Sequence, residues 1–195
     1  VNSISGLTIK DGFSAGGGGG IVNNSRLTVS NSSLANNTAQ EGGGILNNGT
    51  LTITNSTLSG NSALINGGGI ANLGVLTITN STISGNTALY NGGGIISGGL
   101  YLTITDSTIS DNQASSAGGI RADSVKIGNS VLSGSSEDPS IYEKRNCFCA
   151  IFASLGNNLF GENGISGLSY SYGSTTPPLA TSDMILTGLI STAIG

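Results

Sequence analysis

The chain has 195 residues, a formal charge of −4 and only 8% charged side chains, where a globular domain carries about a quarter. Six Lys and Arg in all leave no basic stripe to track phosphates, which argues against a nucleic-acid partner, and no apolar run approaches the ~18–20 residues that span a bilayer. Leu, Ile and Val recur at fixed places among Gly, Asn, Ser and Thr, so the composition points to one domain with a regular core rather than to disorder.

The chain opens directly on repeat-like sequence, Val1 to Ile9, with neither a charged n-region nor an apolar h-region; the expectation is that no signal peptide is present here, prior removal of one being the alternative. Three elements then recur. A Gly-Gly-Ile element ends at Ile21, Ile45, Ile70, Ile95 and Ile120, at spacings of 24, 25, 25 and 25. Leu-Thr-Ile-Thr or a variant starts at Leu7, Leu27, Leu51, Leu76, Leu102 and Val125. Asn-Ser-Thr-Ile-Ser-Gly-Asn runs from Asn80 to Asn86, with copies beginning at Asn31, Asn55, Asp106 and Asn129. Registered copies at a fixed period are the mark of a solenoid.

Each element reads as a short strand. In Leu76-Thr77-Ile78-Thr79 apolar and polar residues alternate, which turns Leu76 and Ile78 to one side and the threonines to the other. Gly, Asn and β-branched residues argue against helix. The predicted fold is all-β: a single-stranded right-handed parallel β-helix of about seven coils of ~25 residues, three strands per coil. At ~4.8 Å per coil it makes a rod of roughly 30–35 Å. Stacking turns like residues into columns: Ile45, Ile70 and Ile95; Ile53, Ile78 and Ile104; Leu58, Ile83 and Ile109. Asn31, Asn55, Asn80, Asp106 and Asn129 form a structural ladder at one turn, and Asn37, Asn61, Asn86 and Asn112 form another. Stacked amides donate one way and accept the other, and Asn tolerates the left-handed backbone of a tight bend.

Gly-Gly-Gly-Ile paired with Ile-Ser-Gly-Asn resembles the GGA[ILV] and FxxN repeats of polymorphic outer-membrane and autotransporter-type β-helix proteins. With Ser154-Leu155-Gly156-Asn157-Asn158-Leu159 added, the chain is more similar to the bacterial choice-of-anchor β-helix surface proteins, because Leu or Ile stands where FxxN has Phe. The resemblance covers roughly residues 16 to 165. It implies the fold and a surface or adhesive setting; the anchoring tail of such proteins is not visible in the sequence.

Residues 1–134 are read as regular coils, 135–146 as a charged insertion loop and 147–195 as degenerate coils. The insertion, SSEDPSIYEKRN, holds nearly a third of all charges; Glu137, Asp138, Tyr142, Glu143, Lys144 and Arg145 form a candidate contact loop for a neighbour or a glycan. Cys147 and Cys149 are read as small buried residues or a local disulfide, with an intermolecular link as the alternative; a zinc site wants four ligands, and the chain has two cysteines and no histidine. Farther on, Tyr170, Tyr172 and Pro177-Pro178 mark turns, and Met184 to Ile190 suits a strand. Neither end carries a polar cap, so the expectation is a fragment or a subunit that stacks head to tail.

Carbohydrate cleavage by a β-helix needs paired carboxylates or a base beside a cation. The candidates are Asp106, Asp111, Asp123, Arg121 and Lys126. Asp106 sits in the asparagine column, Asp111 replaces a turn glycine, and the other three read as a solvated ion cluster. No catalytic residue, cofactor or metal site is assigned, and no repeated aspartate supports calcium. Outward pairs Thr52 and Thr54, Thr77 and Thr79, and Thr103 and Thr105 are similar to the ice-binding face of insect β-helical antifreeze proteins, although Thr is also an ordinary exposed strand residue. Sequons fall at Asn23, Asn31, Asn36, Asn48, Asn55 and Asn80, of which Asn36 and Asn48 are the freest candidates for glycosylation. The expected role is a non-enzymatic extracellular or cell-surface structural protein, a fibre subunit or an adhesin or stalk segment. Its partner is itself or the rest of a larger surface protein, with glycans as a further class; polysaccharide binding or cleavage, then ice binding, are the alternatives.

Overall fold

The computed structural model describes residues 2–99, 101–137, 147–160, 168–169 and 182–185. One coil consists of strands Ile45–Asn47, Thr50–Thr54, Thr57–Ser59 and Ser62–Asn66. The next repeats it as Ile70–Asn72, Val75–Thr79, Thr82–Ser84 and Thr87–Ala88. The two pair in parallel, with Ile45 opposite Ile70, Leu51 opposite Leu76, Leu58 opposite Ile83 and Ala63 opposite Ala88. Every described ladder is parallel and joins one coil to the next. The result is a parallel β-solenoid of about six turns, close to the seven expected. Its strands form three sheets, one on each side of the rod.

The alternation read from sequence decides which side chains enter. Leu51, Ile53, Leu58, Leu76, Ile78 and Ile83 are fully buried, and their strand neighbours Thr52, Thr54, Ser59, Thr77, Thr79 and Ser84 face outward. Complete burial of each such side chain is worth about 1.5–3 kcal/mol. Inward positions of the third sheet are small instead: Ala39, Ala63, Ala88 and Ala114, all buried.

The structure revises two sequence readings and decides between the alternatives of a third. Leu7 does not begin a Leu-Thr-Ile-Thr copy: Asn2–Ser5 lies opposite Leu27 to Ser30, whereas Thr8–Lys10 pairs with Ser33–Ala35 in the second sheet. The interval gives the reason, since Leu7 to Leu27 is 20 residues, well short of one coil. A typical coil also has four strand segments rather than three. The fourth, as in Ser62–Asn66, follows the Ser-Gly-Asn turn and is too short and too polar to show a period. Of the segment read as a charged insertion, Ser135 is buried and Ser136–Glu137 pairs with Gln113–Ala114; residues 138–146 lie outside the described residues. Finally, Cys147 and Cys149 are buried and bonded to each other, which selects the local disulfide over the intermolecular link.

The first glycine of each Gly-Gly-Gly-Ile turn adopts the left-handed conformation, as at Gly67 with φ 67°. In the sixth coil Ala117 takes this position at φ 54°, where an L side chain costs about 1–2 kcal/mol. Ala117→Gly relieves that strain and gives back part of it in unfolded-state entropy. The expected net gain is about 0.5–1 kcal/mol by urea unfolding; a loss of stability would mean that the alanine methyl contributes more than its backbone costs.

Candidate functional site

Hydrogen bonds between side chains of successive coils run the length of the rod. Asn61 shows the arrangement. Its Nδ2 donates to Asn86 Oδ1 at 2.9 Å and to the Leu34 carbonyl at 3.0 Å. Its Oδ1 accepts from the backbone N–H of Asn37 at 3.0 Å and from Asn37 Nδ2 at 2.9 Å. Asn86 repeats this with Asn112 and Leu58. All four asparagines, Asn37, Asn61, Asn86 and Asn112, are completely buried. The column expected from the Ser-Gly-Asn spacing is therefore an internal polar spine, the only kind a sheltered amide tolerates without penalty.

A second buried ladder was not singled out in the sequence. Asn23 donates to Asn47 at 2.7 Å, Asn47 to Asn72 at 2.6 Å, and Asn72 to Ser97 Oγ at 2.9 Å. Each asparagine amide also donates to the carbonyl two residues on, clamping the turn before the Leu-Thr-Ile-Thr strand. The available signal was Asn two residues after each of the first three Gly-Gly-Ile elements. Ala122 ends the ladder, and there the turn vanishes: Ile120–Gly128 and Cys147–Gly156 run as unbroken strands. Buried serines Ser32, Ser56, Ser81, Ser107 and Ser130 form a third ladder, each backbone N–H donating to the hydroxyl of the next coil or, from Ser130, to Asn158 Oδ1.

The column Asn31, Asn55, Asn80, Asp106 and Asn129 lies at a turn with φ between 48° and 53°, the left-handed backbone expected of it. Its side chains are exposed; Asn80 donates to Asn55 at 2.6 Å and Asn129 to Asp106. At the turn, the sequon asparagines Asn31, Asn55 and Asn80 are as open to solvent as Asn36 and Asn48. Asn23 is the buried sequon. Asn36 and Asn48 are exposed, although the Asn48 amide donates to Asn24 at 2.7 Å.

Among the other expected site residues, Glu137 lies in the short strand Ser136–Glu137; Asp138, Tyr142, Glu143, Lys144 and Arg145 lie outside the described residues. Asp111 occupies a left-handed turn position, φ 54°, equivalent to Gly60 and Gly85. Arg121 stands opposite Ile96, Lys126 opposite Thr103, and Asp123 is exposed between them. Among the described residues no group of three His, Cys, Asp or Glu is placed to hold a metal. The Thr-x-Thr array is in register from Thr52 and Thr54 through Thr105. The second sheet displays a comparable outward array, with Thr57, Thr82 and Thr108 in one column and Ser59, Ser84 and Ser110 in the next, so hydroxyl columns are a general property of the outer surface.

The third sheet differs. Its outer face carries a shallow groove of about 370 Å³ across three coils, with Leu64 and Leu89 exposed at 59% and 56%. No family model matches the chain, and neither a curated protein nor a solved structure matches it.

Proposed function

We propose that the chain is a non-enzymatic structural rod of an extracellular or cell-surface protein, an adhesin or stalk segment or the repeating body of a fibre. The observation that carries this reading is the set of buried axial ladders. They satisfy each coil's polar groups through the next coil and so make a stiff element whose length grows with coil number. The paired Cys147 and Cys149 fit an oxidising compartment. The Gly-Gly-Gly-Ile and Ile-Ser-Gly-Asn repeats, similar to those of polymorphic outer-membrane and choice-of-anchor surface proteins, support the same location. Antibody labelling of intact source cells, with electron microscopy of the native material, tests the proposal. Surface label on rods or fibres is expected; label that appears only after lysis overturns it.

A further inference from the structure

We propose that the groove on the third sheet binds an extended, neutral polysaccharide lying along the rod. Three coils supply it: Ser62, Thr87 and Gln113 stand in register, and Leu64, Leu89 and Ser115 each follow two residues on. One column offers two hydroxyls and an amide; its neighbour offers two leucines and a hydroxyl. None of the lining residues is ionisable, so nothing in the groove pairs with a uronate, a phosphate or a basic peptide. Exposed leucines beside polar side chains match the two surfaces of a pyranose, whose C–H face is apolar and whose rim is hydroxyl. Tyr90, next to Leu89 in the chain and 55% exposed, adds an aromatic beside the same coil.

The repeat length selects the polymer. A ligand running along the axis meets equivalent groups every ~4.8 Å, the spacing between paired strands. An extended peptide rises about 3.3 Å per residue and alternates its side chains, so it loses register within two coils. A chain of 1,4-linked pyranoses advances by roughly one coil per sugar and sets one ring on each.

Electrophoresis of the purified chain through native gels containing hydroxyethyl cellulose, or polygalacturonate in parallel, tests the proposal. Retardation is expected in the neutral polymer alone, and competition with cellohexaose should reverse it. Leu89→Asp should weaken binding at least tenfold with an unchanged melting curve, whereas Tyr101→Ala, on the first sheet, should leave binding intact. Gln113→Leu should also weaken binding and serves as the reading if Leu89→Asp fails to fold. No retardation by the neutral polymer, equal retardation by polygalacturonate, or parent-like binding by the folded groove variants overturns the proposal. The inference rests on the rod reading only for where the groove is displayed. Cell labelling and gel retardation therefore fail separately.

Discussion

Replacing Asn61 by leucine is expected to destabilise the chain by about 4 kcal/mol or more. The substitution keeps the branched shape but takes the amide away from three buried groups, the Leu34 carbonyl and the backbone and side-chain N–H groups of Asn37, and leaves Asn86 Oδ1 with the Asn61 backbone N–H alone. Each orphaned group costs about 1–3 kcal/mol. A domain has about 5–15 kcal/mol in total, so the variant should unfold at a much lower urea concentration than the parent. Asn55→Gly provides the contrast. Asn55 is exposed and sits at φ 49°, which glycine adopts freely, and its loss should stay within about 0.5 kcal/mol, as for ordinary surface substitutions. Equal effects of the two variants would mean that the inner column does not hold the coils together.

The second large effect is expected at Gly68. It does not have a positive φ; what it lacks is room. A Cβ there would lie less than 3.0 Å from the carbonyl oxygens of Thr87 and Gly93 in the adjacent coil. These are backbone atoms in the hydrogen-bonded stack, where Gly68 N–H donates to Gly92 at 3.2 Å, so no side-chain rotation relieves the overlap. Gly68→Ala should separate two coils and reduce soluble yield, with a loss of several kcal/mol, beyond the usual 1–3 kcal/mol of core overpacking. Gly98→Ala, in open space with no positive φ, should be neutral or gain about 0.4–1 kcal/mol from reduced unfolded-state entropy. Comparable melting temperatures for the two variants would contradict the close approach.

The sequence was most legible where one residue type repeats at coil spacing and alternates with polar neighbours. Ile45, Ile70 and Ile95, or Ile53, Ile78 and Ile104, identify their columns because parallel stacking in register admits no other arrangement. Element content misled where two elements look alike. Thr8-Ile9-Lys10 reads as a worn Leu-Thr-Ile-Thr, and only the interval places it in the second sheet with Ser33–Ala35. The strand after the Ser-Gly-Asn turn stayed hidden because a single buried alanine per coil, Ala63 or Ala88, gives no apolar alternation. The ladder of Asn23, Asn47 and Asn72 was masked by the abundance of asparagine, and burial rather than identity separates it from Asn31 and Asn55. The groove was invisible for a related reason. Leu64 and Leu89 look like core residues, yet they fall one position past the inward alanines and so face outward.

Hydrogen exchange of the asparagine side-chain amides, read by NMR, tests the central claim most directly. If buried axial ladders hold the coils together, the Nδ2 protons of Asn61 and Asn86 exchange only with global unfolding, while those of Asn31, Asn55 and Asn80 exchange rapidly from the exposed turn. Rapid exchange in both columns would show that the inner amides are open to water and that the rod is not built on them.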